Sequence, residues 1–158
     1  MMKKNNISIS NYIQDYPLFE FYLDSIYMTL AQLDGEYPCF HEWYYKKVKN
    51  GLLDGTRDIL VNFYKDYITG VSILKNTSFE KKICTLRVDK RFQKNGIGSS
   101  LLLDSFDHLD TQNPIITINS NKEKQFKSLF AHFGFEKAEE YMDFYNSGAK
   151  EISYNGCL

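Results

Sequence analysis

The chain has 158 residues, 43% of them hydrophobic and 25% charged, enough for one hydrophobic core and too apolar for a disordered chain. Its formal net charge is -1 with acids and bases well mixed, so nothing pulls it as a whole toward nucleic acid or an anionic membrane, and any basic site must be local. The three cysteines, Cys39, Cys84 and Cys157, are scattered without a C-x-x-C pair, and His41, His108 and His132 lack zinc spacing, which argues against a disulfide framework and a metal site. Lys3-Lys4 opens like a secretory leader, but Asn5, Asn6, Ser8, Ser10 and Asn11 interrupt the apolar stretch a leader needs, and no run reaches bilayer length. A cytoplasmic protein with reduced thiols is the expectation.

Residues 7–13 alternate loosely and predict a short edge strand. Asp15-Tyr16-Pro17 then starts a helix, with proline in the first turn where its missing N–H costs nothing. Phe19, Tyr22, Leu23, Ile26, Leu30 and Leu33 form its apolar face, and Asp34-Gly35 ends it. A second helix is predicted over 40–49, with Phe40, Trp43, Tyr44 and Val48 inward and Asn50-Gly51 closing it. Residues 58–64 and 67–74 are β-rich runs around Lys65-Asp66, the pattern of a hairpin. Asn76-Thr77-Ser78 turns the chain into a third strand, 83–88.

From Ile97 the period changes, with Ile97, Leu101, Leu102, Phe106 and Leu109 at helical spacing. Residues 114–119 read as a strand parallel to 83–88 across this crossover helix. Ser120-Asn121-Lys122-Glu123 has the form of a capping box, Phe126, Leu129, Phe130 and Phe133 mark the buried face of the next helix, and Gly134 ends it. Residues 136–145 and 151–154 finish the chain as strands. No boundary or repeat divides it, so 1–158 reads as one α/β domain.

The chemistry concentrates between residues 83 and 106. Gly96 and Gly98 stand at a helix start, where the first amides lack intrahelical partners and the macrodipole is positive. A glycine there lets an anionic oxygen approach the main chain, so Gln93-x-x-Gly96-x-Gly98 suits a phosphate or pyrophosphate, with Lys90, Arg91 and Lys94 nearby. The spacing fits neither the G-x-G-x-x-G dinucleotide fingerprint nor the G-x-x-x-x-G-K-[ST] P-loop. A tight turn at Asn95-Gly96 with Gly98 as a packing residue is the bland alternative.

The run V-D-K-R-F-Q-K-N-G-I-G-S-S-L-L resembles the acetyl-CoA-binding motif of the Gcn5-related N-acetyltransferase (GNAT) superfamily, and the order of elements along nearly the whole chain is similar to that family, including Phe133-Gly134-Phe135. The resemblance implies a mixed, mostly antiparallel sheet with a splayed parallel strand pair and helices on both faces. It further implies that acetyl-CoA is the co-substrate and that an amine, on a small molecule or a protein, is the acceptor. The pantetheine would lie along the backbone of Leu86, Arg87 and Val88. The pyrophosphate would sit on Gln93, Lys94, Asn95, Gly96, Ile97, Gly98 and Ser99, with Asn119 and Asn121 as further contacts. A bulge around Cys84-Thr85 is expected in the first splayed strand. With a net charge of -1, no membrane partner is expected and nucleic acid is the least expected one; a homodimer is allowed.

Two departures from the family pattern stand out. The first splayed strand carries no carboxylate to serve as base, and Glu80 lies just before it. The tyrosine that the family commonly uses as acid, four residues before the Gly-Phe ending, is Phe130 here. Ser120, Tyr141 and Tyr145 are the candidates to replace it. The aromatic residues of the leading helices, among them Tyr16, Phe21, Tyr27, Tyr37 and Tyr45, would wall the acceptor side with His41 and Glu42. Three readings result: an acetyl-CoA-dependent N-acetyltransferase, a weak or inactive acyl-CoA-binding regulatory protein, and, last, an enzyme acetylating aminoacyl-tRNA.

Overall fold

The computed structural model describes residues 6–34, 39–144 and 148–158. Gly35, Tyr37 and Tyr145, and the side chain of Leu33, lie outside the described residues. The strands are β1 (Asn6–Ser8), β2 (Arg57–Tyr64), β3 (Tyr67–Asn76), β4 (Lys81–Val88), β5 (Ile115–Asn119), β6 (Lys137–Met142) and β7 (Lys150–Tyr154). The helices are α1 (Tyr16–Asp34), α2 (Phe40–Glu42), α3 (Lys49–Asp54), α4 (Ile97–Leu109) and α5 (Glu123–His132). The strands form one sheet in the order β1-β2-β3-β4-β5-β7-β6. β4 and β5 run parallel, and the other neighbours are antiparallel.

Two apolar layers cover the sheet. On one face α4 and α5 bury Ile97, Leu101, Phe106, Phe126 and Phe130 against Leu74, Ile83, Leu86, Ile116, Ile118 and Ile152. On the other face α1 and the helical stretch after it bury Phe19, Leu23, Ile26 and Tyr44 against Ile59, Val61, Val71 and Ile73. The described residues predicted inward on both leading helices are buried or half-buried, as expected when side chains three and four apart share a helix face.

The structure corrects the sequence reading at several element ends. The strand expected over 7–13 stops at Ser8, and Ile9–Tyr12 turn as a 3-10 helix. The Asp58 carboxylate pulls the chain out of the sheet by accepting from Ser8 Oγ, from the Ser10 amide at 3.2 Å and from Ser10 Oγ at 3.0 Å. The second helix does not close at Asn50-Gly51. A π-helical stretch, Trp43–Val48, joins α2 to α3, and the turn comes at Gly55 with φ 85°. Gly51 is buried instead because the stem of Arg57 crosses it; a Cβ there would lie 2.5 Å from Arg57 Cγ. The capping box at Ser120 is replaced by Asn119, whose side chain accepts from the Asn121 amide at 3.0 Å. That bond tightens Ser120–Lys122 into a 3-10 turn before α5. Of the late strands, β6 spans only Lys137–Met142 within the 136–145 predicted, and β7 begins one residue earlier than predicted, at Lys150.

Candidate active site

The site begins with a bulge. Ile73 pairs with Thr85 and Leu74 with Ile83, so Cys84 is the extra residue in β4, and an extra residue bends its strand. β4 then pairs with β5 only at Lys82 with Ile115 and at Ile83 with Ile116. Beyond those positions the two strands continue, to Val88 and Asn119, without pairing to each other. The parallel pair is therefore a V that opens toward the carboxyl ends of both strands.

At the upper end of β4 the chain turns into α4. Gly96 caps this helix with φ 78°, in the left-handed region that costs a residue with a Cβ about 1 kcal/mol or more, and no side chain caps it. The Ser100 amide makes the first helical bond, to Gly96 O at 3.0 Å, so the amides of Ile97, Gly98 and Ser99 have no intrahelical acceptor. Gly98 faces the gap between the end of β4 and α5: a Cβ would stand 3.8 Å from Val88 Cγ2 and 3.4 Å from Leu129 Cδ2. Lys94 takes φ 65° and Asn95 donates to the carbonyls of Phe92 and Gln93, both at 3.1 Å, which winds residues 92–96 into a tight loop under the helix end. Such an end with a narrow, glycine-floored approach is shaped for an anion.

The cations of this loop are unequal. Arg91 is committed to Asp89 at 2.9 Å and lies over the rings of Tyr67 and Phe92. The hydrogen bonds from Arg91 hold the Asp89 carboxyl below its ordinary range. Lys90 and Lys94 are exposed. The carbonyls of the expected pantetheine strand also carry internal donors: Arg87 Nη1 donates to Leu86 O at 2.7 Å, and Gln93 Nε2 donates to Val88 O at 3.1 Å. Gln93 thus braces the strand-to-loop junction. Asn119 spends its carboxamide oxygen on the 3-10 turn, and Asn121 is exposed beside it at the mouth.

The face of the V away from α4 and α5 carries a group that sequence reasoning missed. Ile116 pairs with Tyr154 and Ile118 with Ile152, and all four belong to the layer under α4 and α5. Their alternating neighbours Thr117, Asn119, Glu151 and Ser153 therefore point to the other face. Glu151 is buried there at 4% exposure, with Ser153 beside it at 0% and Arg87 and Lys82 from β4 at 6% and 9%. Burial pushes the Glu151 carboxyl up to about 7, while Arg87, Lys82 and a hydrogen bond with Thr117 pull the other way. A carboxyl in that range exchanges protons near neutral pH.

A family model described as an acetyltransferase (GNAT) domain matches residues 30–152. The chain belongs to the GNAT acetyltransferase family. No curated protein matches it by sequence, whereas solved structures share the GNAT fold. An acetyltransferase of the GNAT family from Bacillus cereus is 21% identical with a TM-score of 0.68, over 96% of this chain and 95% of that one. A GNAT family acetyltransferase from Elizabethkingia anophelis, solved with acetyl-CoA bound, is 19% identical with a TM-score of 0.57, over 79% and 85%. An acetyltransferase from Bacillus subtilis, solved in complex with CoA, is 20% identical with a TM-score of 0.53, over 72% and 84%.

Against the GNAT pattern, Phe130 is a core residue. It is 2% exposed and its ring stacks on Phe126 at 5.4 Å and on Phe135 at 5.0 Å, with Tyr154 edge-on at 4.8 Å. Ser120 stands at the mouth, half-buried, its carbonyl accepting from the Glu123 amide. Tyr141 pairs across the sheet with Glu151, its hydroxyl accepting from the Leu158 amide at 2.9 Å, and Tyr145 lies outside the described residues. Glu80 precedes β4 at the closed end of the V and pairs with Lys75 at 3.0 Å. In the leading helices Tyr44 is buried and donates to Leu23 O at 2.7 Å, and Tyr45 donates to Asp24 at 2.7 Å. Tyr27 packs among Phe40, His41, Tyr44 and Tyr45, so these rings hold the leading helices together. Glu42 is tied to Lys46 on the surface.

Proposed function

We propose that this GNAT domain transfers an acetyl group from acetyl-CoA to a primary amine by direct attack within a ternary complex. The observation that carries the reading is the V between β4 and β5 opening beside the uncapped amides of α4. The pyrophosphate would rest on the amides of Gly96 to Ser99, with Lys94 and Asn95 in the loop beneath. The pantetheine would run along Leu86, Arg87 and Val88 in the gap. The fit rests on Gly98, because the space a Cβ would take there is bounded by Val88 and Leu129. Holding amine and thioester together removes most of the entropic barrier, and a main-chain N–H of β4 would stabilise the oxyanion as the amine nitrogen attacks. Acetyl-CoA bound to an Elizabethkingia anophelis relative of the same fold supports the choice of donor. Ser120, at the mouth, would face the departing thiolate. Among the described residues no helix is long and apolar enough to cross a membrane, and we take the protein to act in the cytoplasm.

A second reading, an acyl-CoA-binding protein without turnover, is favoured by the phenylalanine at position 130 and by the absence of a carboxylate from β4. Release of free CoA from acetyl-CoA, measured over a panel of small amines, peptides and aminoacyl-tRNA, separates the two. Amine-dependent release supports transfer. Tight binding of acetyl-CoA with release at background on every acceptor supports the binding protein.

A further inference from the structure

We propose that Glu151 takes the proton from the acceptor's ammonium group, reaching the gap between β4 and β5 from the face of the sheet opposite α4 and α5. The proposal rests on the transferase reading above and names the base that β4 does not supply. An amine with a pKa near that of lysine, about 10.4, is almost wholly protonated at neutral pH and has no lone pair to attack with. A carboxylate within reach of it is required, or water acting for one.

Glu151 has the position for this task. It pairs with Asn119, the last residue of β5 before the mouth, so it stands one strand spacing, about 4.8 Å, from the edge of the V. Arg87, at the corresponding height on β4, presents its side chain to the same face, since it pairs with Val71 of the layer under α1. The reacting carbon, held between the strands, would have the anion-binding turn on one side and Glu151 on the other. The charged and titratable groups around Glu151 are Arg87 and Lys82 from β4, with Tyr141 and Glu139 of β6 on the same face and Lys150 next to it in the chain. β5 contributes only Thr117 and Asn119. Lys150 is turned to Glu140 at 3.2 Å.

The balance is complete without a further reagent. The carboxylate of Glu151 accepts one proton from the ammonium. The freed nitrogen forms the C–N bond to the thioester carbonyl, the C–S bond breaks, and its electron pair leaves on the thiolate, which takes the second nitrogen proton. Glu151 returns its proton to water. The burial that holds its carboxyl near 7 matches it to this exchange.

The test compares wild type, Glu151→Gln and Glu151→Asp with two classes of acceptor: ethanolamine and a lysine peptide, protonated at neutral pH, and hydroxylamine, which is largely unprotonated there. Glu151→Gln should lower kcat/KM about 100-fold or more for the alkylamines, leave hydroxylamine within about threefold, and leave acetyl-CoA affinity unchanged, with partial recovery in Glu151→Asp. Equal losses on both classes would overturn the proposal, as would retained alkylamine activity. A carbon-13 titration of the Glu151 carboxyl in wild type, with acetyl-CoA bound, needs no turnover: a midpoint near 7 is expected, and one in the ordinary carboxylate range would overturn the proposal. Failure of wild type to bind acetyl-CoA would instead sink the transferase reading on which it stands.

Discussion

Replacing Glu151 by glutamine should stabilise the fold at alkaline pH while impairing transfer. In the unfolded chain this carboxyl titrates at its ordinary value, 4.5, and in the folded protein at about 7. The raised folded value fixes the sign. Stability from this group is fully present below 4.5 and is lost as pH rises through 7, because the unfolded chain ionises freely while the folded one must bury a charge. A difference of roughly 2.5 units at 1.36 kcal/mol each gives a loss of about 3 kcal/mol by pH 8 and under about 1 kcal/mol at pH 5. Glutamine keeps the shape and cannot ionise, so it should recover that loss. Urea unfolding of wild type and Glu151→Gln at pH 5 and pH 8 reads the effect, and other titrating groups largely cancel in the difference. A difference independent of pH, or a variant less stable at pH 8, would refute the reasoning. It would mean that pairing with Arg87 and Lys82 outweighs desolvation.

Three further outcomes follow from the packing. Phe130→Tyr should lower stability by about 1–3 kcal/mol in urea unfolding, because its hydroxyl would enter the stack of Phe126, Phe135 and Tyr154. It should bring no gain in acetyl transfer; a clear gain would restore the expectation drawn from the family's tyrosine. Tyr44→Phe should cost about 0.5–1.5 kcal/mol by removing the hydrogen bond its buried hydroxyl donates to the Leu23 carbonyl at 2.7 Å, and unchanged unfolding would contradict the assignment. Asp58→Ala should loosen the first strand, since its carboxylate gathers Ser8 and Ser10; hydrogen exchange should speed up in β1 and the adjoining turn, and unaltered protection there would count against this role.

Periodicity carried most of the fold because α1, α4 and α5 each bury one face, while β2, β3 and β4 are short β-branched runs buried on both faces between the two apolar layers. The bulge at Cys84 was legible for the same reason: Ile83, Leu86 and Val88 break strict alternation, and the extra residue restores it. The helix through Asn50-Gly51 was not, since a glycine followed by two leucines looks like an end until Arg57 is seen crossing it. Nor was the choice of Asn119 over Ser120 as cap, which turns on one side-chain bond within the turn. Glu151 illustrates the general limit. Alternation in Glu151-Ile152-Ser153-Tyr154 shows that it faces away from Ile152 and Tyr154. A glutamate on that side of a strand reads as solvated, and its burial beside Arg87 and Lys82 depends on strands more than 60 residues away in the chain. The uncapped start of α4 lay within one short segment, so the change of period at Ile97 and the glycines beside it were enough to place it.

Calorimetric titration of acetyl-CoA into wild type and Gly98→Leu tests the cofactor groove most directly. Saturable binding at one site per chain in wild type, lost in a Gly98→Leu protein whose circular dichroism is unchanged, is the expected result. Equal affinity in the two proteins would contradict it, because a leucine side chain beside Val88 and Leu129 cannot share that gap with a pantetheine arm.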